Sequence, residues 1–392
     1  MKKQKIKKLR LPPIGLEMLE FPLNRHISDS APPKITAPTG DPNEVERLYR
    51  CEIDEFNESL GGSFARVPFA WTKVSGEPFG DFTGIQGERI FRHIRARFVG
   101  GHWSRPLKGV ARDLRRFAIT TQASRFQGGE RCACIQGVQR EGDLTTFDIG
   151  VAPYEHGFAT IGSQGVHLSL DRRQLAAVRS VYDGDGDAKV RVLKKLVKQL
   201  RKRFGDCTIR EALHKLHKGV LPPFGSPFVD SLGGMIALIT AGKYVVLGLR
   251  TPGNVSVNFG INVASSGGFT YEPEEIESMG FSSWVESQMR RELEEELGIP
   301  GNACTITVLA FTREAARAGA SDFVGLIEFS GSLDELVHLA RTNPIPIMDV
   351  DRLYAIPIAQ AREMITRPHI TKVIHPKAVM ALILWHRYLS LR

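Results

Sequence analysis

A mixed α/β protein of two domains is what this sequence predicts, and three observations carry the prediction. The chain has 392 residues, more than one ordinary domain. Its 42% hydrophobic and 24% charged content are those of a soluble globular protein that can build a core in each domain. Beyond residue 225, strand-like and helix-like periods interleave, the order expected when helices flank a largely β core.

In chain order, residues 1–40 are rich in Lys, Pro and Ser and read as a flexible or extended basic arm. A short helix is expected over 43–60. Residues 116–166 read as β-rich, with strands at 117–121 and 132–138 separated by turn signals at Gly128-Gly129 and Glu141-Gly142-Asp143. Helices follow at 171–181, from Asp187 as cap to Phe204, and at 208–217. The segment Leu221 to Pro227, with three prolines and a glycine, is the best linker and divides an α+β domain over 41–225 from a domain over 226–392. There, strands at 235–240 and 243–250 form a hairpin turning at Ala241-Gly242, and 258–264 gives a third. A loop holding Gly267-Gly268 leads into a helix over 283–297, opened by a capping box at Ser283 and Glu286 and ended by Gly298. Strands at 305–311 and 323–329 and helices at 333–341, 359–366 and 376–388 complete the order.

The net charge is +9. It gathers in the first ten residues and between Lys189 and Lys218, clusters that suit polyanions or plain solvation. Five cysteines form no paired framework, and Cys132 and Cys134 lack the partners of a zinc site, so all are read as reduced thiols. No apolar run approaches the ~20 residues that span a bilayer. The basic start lacks the apolar stretch of a signal peptide. A cytoplasmic protein without membrane partners is expected. Asp183 to Asp187 imitates the start of a calcium loop but has Ala188 and Lys194 where Gly and Glu are needed.

The chemistry sits in the helix over 283–297. Glu292, Glu295 and Glu296 stand at i, i+3 and i+4, so their carboxylates share one face about one turn apart. Such repulsion destabilises an isolated helix, and Mg²⁺ (or Mn²⁺) would turn it into binding, because hard cations prefer carboxylate oxygens and water. Glu294-Glu295-Glu296 alone favours the plain reading of a solvated face, as most charge runs do.

The longer string decides between the two. Arg291-Glu292-Leu293-Glu294-Glu295-Glu296-Leu297-Gly298-Ile299 resembles the second half of the Nudix box, REUxEExGU with U aliphatic, at every specified position. The first half, Gly-x5-Glu, is met by Gly268 and Glu274. The family then has seven residues before the Arg, where this chain has sixteen, an insertion of about nine that lengthens the loop; at the family's spacing the position is Ser283.

The resemblance implies a Nudix-like α/β/α sandwich over 226–392, preceded by the α+β domain. It also implies divalent-metal-dependent hydrolysis of a pyrophosphate bond in a nucleoside diphosphate linked to another moiety. Glu292, Glu295 and Glu296 would hold the metal. Arg291 would brace the helix carboxylates by a salt bridge, leaving Glu292 or a loop acid such as Glu314 as general base. Gly267 and Gly268 would let backbone approach the phosphates, and Arg250 would meet a substrate phosphate. The plain alternatives are a solvated loop acid for Glu314 and a surface side chain for Arg250. Two other functions stay open: a Nudix-fold nucleotide sensor of weak or no activity, and an RNA 5′-end pyrophosphohydrolase using the basic clusters. RNA and a second copy of the chain, as a homodimer, stay open as partners beside a nucleotide-type small molecule.

Overall fold

A computed structural model describes residues 7–11, 16–23, 41–74, 77–84, 91–101, 109–122, 131–153, 157, 162–182, 184–224, 226, 231–241, 243–250, 260–343 and 350–392. Fourteen strands are named in chain order: β1 (Lys7–Leu11), β2 (Leu16–Pro22), β3 (Phe69–Val74), β4 (Glu77–Phe79), β5 (Ile94–Gly101), β6 (Arg131–Glu141), β7 (Leu144–Pro153), β8 (Leu232–Thr240), β9 (Tyr244–Arg250), β10 (Ile261–Val263), β11 (Ser265–Gly268), β12 (Cys304–Glu314), β13 (Ala320–Phe329) and β14 (Val350–Pro357).

The fold is mixed α/β. Eleven of these strands form one sheet in the order β1-β2-β14-β9-β8-β13-β12-β3-β4, with β10 on β9 and β11 on β8. Strand β8 is buried along its whole length, as its unbroken apolar run requires. Its residues alternate between two cores. Leu232, Ile236 and Leu238 face the helix Phe281–Leu297 through Trp284, Met289 and Leu293. Met235, Ala237 and Ile239 face the helix Pro376–Leu391 through Val379, Leu382 and Ile383. A period of two in the strands thus sorts side chains into the two outer layers of an α/β/α sandwich.

Near the 240 turn β8 and β9 pair directly, Leu238 with Val246 through Thr240 with Tyr244. Ala241 makes that turn with φ 37°. Farther along, the two strands part, β10 pairs with the far end of β9, and β11 with the beginning of β8. Of this inserted pair, β11 lies beneath Phe281–Leu297 and positions the candidate site, while β10 packs against Pro376–Leu391 through Ile261 and Val263.

The sheet crosses the division expected at residue 225. Strand β3 pairs with β12, Trp71 opposite Thr312, and the helix Arg50–Leu60 adds Phe56 and Leu60 to the core of the C-terminal layer. The arm expected over 1–40 includes the β1–β2 hairpin, which pairs with β14 through Leu19 and Ala355. Pairings between segments so distant in sequence leave no mark on local periodicity.

The expected strand at 117–121 is part of a helix, Gly109–Gln122. Leu114, Phe117 and Ala118 are buried at helical spacing against Leu193, Leu196 and Leu200 of the helix Gly186–Phe204. The apolar and β-branched run misled because tertiary burial overrode local propensity. Asp185, not Asp187, occupies the cap position of Gly186–Phe204, and Asp187 pairs with Arg179 at 2.8 Å. Strand β6 runs where expected and, with β5 and β7, forms a three-stranded sheet. No helix among the described residues is long and apolar enough to cross a membrane.

Candidate active site

The helix Phe281–Leu297 begins after Gly280, whose φ is 79°, and makes no side-chain cap hydrogen bond. Ser283 is an exposed residue inside the first turn, so the expected capping box is not the start. Burying Phe281 favours the earlier start: its ring stacks on Trp284 with centroids 5.7 Å apart. The far end is as expected. Gly298 takes the left-handed conformation at φ 66° and donates to the Glu294 carbonyl.

One side of this helix carries Trp284, Gln288, Glu292 and Glu296 at steps of four, a line of side chains stacked along the axis. Its three polar members meet β11 and the residues just after it. Thr270 N–H donates to Oε1 of the buried Gln288 at 2.9 Å. The Glu292 carboxylate lies directly over Gly267, where an added Cβ would overlap its carbon and both oxygens. Ser266 N–H donates to Oε2 of Glu296 at 3.0 Å, and Glu296 is only 9% exposed. The structure therefore sets Glu292 and Glu296 side by side above a glycine-containing strand. Glu295 is exposed, and its carbonyl accepts from Asn343 Nδ2 at 2.9 Å.

Gly267 and Gly268, expected in a loop, are strand residues opposite Gly234 and Gly233. Substituting alanine at Gly267 forces Glu292 from its place. We expect about 1–3 kcal/mol of destabilisation from this overpacking, read by urea unfolding, with loss of any metal-dependent turnover. A variant as stable and active as the wild type would mean that the close approach is irrelevant.

Arg291 does not brace the box carboxylates. Its guanidinium makes two hydrogen bonds to Glu272, at 3.0 and 2.8 Å, and reaches Glu275 at 3.0 Å. A short helix, Pro273–Met279, spans the start of the lengthened stretch, and Glu274 is exposed on it. The chain on either side of Glu274 is thus tied to the box helix, through an Arg–carboxylate fork at Glu272 and a further contact at Glu275. Sequence reasoning missed Glu272 and Glu275, although Pro273 after Glu272 and Gly280 at the other end are ordinary helix start and stop signals. The hydrogen bond from Arg291 holds Glu272 below the usual carboxylate range, while burial pushes Glu275 up. Stabilisation by the Glu272 pair is complete above the ordinary value of 4.5 and is lost as pH falls through the lower folded value. With both partners about a third exposed, Arg291→Gln should cost about 1 kcal/mol or less near neutral pH. The gap from wild type should narrow as pH falls below 4.5 and through the lower folded value in urea titrations; a gap that stays constant into acid would contradict the assignment.

Arg250 ends β9 opposite Val350, and its side chain lies outside the described residues. Glu314 is not a loop acid. It ends β12, is 4% exposed, and pairs with Arg317 and Lys377, each at 3.5 Å. Those contacts commit it to a buried ionic cluster.

The three-stranded sheet adjoins the site. Ala133 N–H donates to the Phe269 carbonyl at 2.8 Å, and Cys132 and Cys134 of β6 bridge to Thr270 and Ser231. Both thiols are buried and unbridged. Phe98 of β5 packs edge-on against Tyr271, centroids 5.7 Å apart.

Among the described residues, no group of three His, Cys, Asp or Glu side chains is gathered tightly enough to hold a metal by itself. The donors nevertheless fit Mg²⁺ or Mn²⁺ in kind. They are hard carboxylate oxygens, and Mg²⁺ commonly takes one or two of these and completes its shell with water and substrate phosphate.

No family model matches the chain. No curated protein matches it. Solved structures do, among them DR0079 from Deinococcus radiodurans, 15% identical, with 34% of this chain and 72% of that one covered at a TM-score of 0.24. That overlap shows neither a shared fold nor a shared activity.

Proposed function

We propose that the chain is a divalent-metal-dependent hydrolase that cleaves the pyrophosphate bond of a nucleoside diphosphate linked to another group. The observation that carries the proposal is the placement of Glu292 and Glu296, from a string resembling the Nudix box, over Gly267 and against the Ser266 amide.

Glu292 and Glu296, with Glu295 one position away, would hold Mg²⁺ or Mn²⁺, which when bound supplies neutralisation of the diphosphate and a water of lowered pKa. The chain's own groups prepare this arrangement. The Ser266 amide fixes the Glu296 carboxylate, so the oxygen it does not engage has a set direction. Gly267 removes the Cβ that would displace Glu292 and so lets the carboxylate settle on the strand. Arg291, held by Glu272 and Glu275, fixes the rotation of the helix about its axis. Gln288 ties down Thr270, where the chain leaves β11.

In the reaction, water adds its oxygen to one phosphorus, the P–O bond to the bridging oxygen breaks, and two phosphomonoesters leave. ADP-ribose and nucleotide sugars incubated with the protein and Mg²⁺ in ¹⁸O-water should therefore give two monophosphates, one of them labelled. Intact substrate, or unlabelled products, would count against hydrolysis at this bond.

A further inference from the structure

The helix Gly186–Phe204 carries eight Lys and Arg residues against one acid, Asp187, a net of seven beside +9 for the whole chain. Its apolar stripe is buried: Val190, Leu193, Leu196, Val197, Leu200 and Phe204 pack into the core shared with the helices Gly109–Gln122 and Ile209–Leu216. On the faces turned away from that stripe, Arg191, Lys194, Lys195, Lys198, Arg201 and Lys202 are exposed. At about 1.5 Å per residue they form one cationic row roughly 16 Å long.

Among the described residues only one member of the row, Arg201, has an ion-pair partner. The ion pairs at this helix join Asp187 to Arg179, Asp185 to Lys189 at 4.0 Å, and Asp206 to Arg201 at 3.4 Å. None of them reaches Lys194, Lys195, Lys198 or Lys202. A merely solvated helix face gains from alternating signs at i,i+4. Here Arg191 faces Lys195, Lys194 faces Lys198, and Lys198 faces Lys202, so each step adds repulsion that an external polyanion would relieve.

The chemistry of the face narrows the partner. A helix that lies in a membrane surface needs its apolar stripe free to insert, and this one is spent in the core. Binders of single strands stack bases on aromatic rings, and the exposed large apolar side chains of the described residues include no aromatic. We infer that this face docks the sugar–phosphate backbone of a double-helical nucleic acid without reading its bases. The inference stands apart from the hydrolase reading, because the row lies on a different core from the box helix.

The test is fluorescence anisotropy of a labelled duplex with the full chain, beside the variant K194A/K195A/K198A/K202A and a control that replaces the exposed sandwich lysines Lys243 and Lys372 with alanine. For four phosphates neutralised, wild-type affinity should fall about 100-fold between roughly 50 and 200 mM salt. The quadruple variant should lose most of the affinity and the salt dependence while keeping its circular dichroism and melting temperature. The control should bind as wild type, and duplexes of unrelated sequence should bind alike. The inference is overturned by absent binding at low salt, by a quadruple variant that binds unchanged, or by tighter binding to single strands or to anionic vesicles than to duplex.

Discussion

Glutamine in place of Glu296 should leave the fold intact and remove metal-dependent turnover. The side chain is almost fully buried, and it accepts a hydrogen bond from the Ser266 amide. Glutamine has the same shape, and its carbonyl can accept that bond, so stability should change by about 1 kcal/mol or less. What disappears is one negative charge and one anionic oxygen beside Glu292. A metal site contributes several kcal/mol of charge stabilisation, and at about 1.4 kcal/mol per decade its loss lowers kcat by roughly 10²–10⁴-fold. Glu294→Gln is the matched control, since Glu294 is exposed and its carbonyl, not its carboxylate, makes the described contact to Gly298. It should retain wild-type turnover. Equal activity in both variants would remove Glu296 from the site.

Replacing Lys377 with methionine should be the most destabilising single change among those considered. Lys377 is 4% exposed on the first turn of Pro376–Leu391, with Nζ 2.8 Å from Asp322 and 3.5 Å from Glu314. Arg317 reaches only Glu314. Methionine fills much of the volume but leaves the Asp322 carboxylate buried and uncompensated, a loss of about 3–5 kcal/mol when one member of a buried pair is removed. Adding Asp322→Asn removes the stranded charge and should recover a large part of that loss. Urea unfolding of the two variants decides the matter: a single variant within about 1 kcal/mol of wild type, or a double variant less stable than the single, would show that this ion cluster does not hold the C-terminal helix to the sheet.

The legible parts of the fold were those written in adjacent residues. The box helix, its Gly298 stop, the β8–β9 hairpin and β12 and β13 follow from period, turn chemistry and caps, and each lies within a few residues of its expected place. The helix start was missed because Ser283 and Glu286 form a plausible cap inside what Phe281 and Trp284 make a continuous buried face. The helix Gly109–Gln122 was missed because Phe117, Ile119 and Thr121 favour strands locally, while Leu114 and Phe117 gain more by packing on Leu193. Nothing local could reveal that β3, more than two hundred residues before β12, extends the same sheet. At the site, the carboxylates were legible as a motif, but their supports were not. Glu272 sits at an unspecified position of the first half and Glu275 at the start of the lengthened stretch, and Ser266 acts through its backbone amide, which any residue but proline could supply. Gln288 did leave a signal, since a polar residue one turn before Glu292 on the same line is out of place on a buried face.

The most direct test of the central claim is nucleotide and phosphate release by the wild-type chain from a panel of nucleoside diphosphate derivatives, ADP-ribose, dinucleoside polyphosphates and 5′-capped RNA, with Mg²⁺ or Mn²⁺ and again with chelator. Cleavage of at least one diphosphate-linked substrate is expected, and it should need the metal, stop with chelator and return when metal is restored. Tight nucleotide binding without turnover under any metal condition would contradict the hydrolase and leave the carboxylate face of Phe281–Leu297 as part of a binding module.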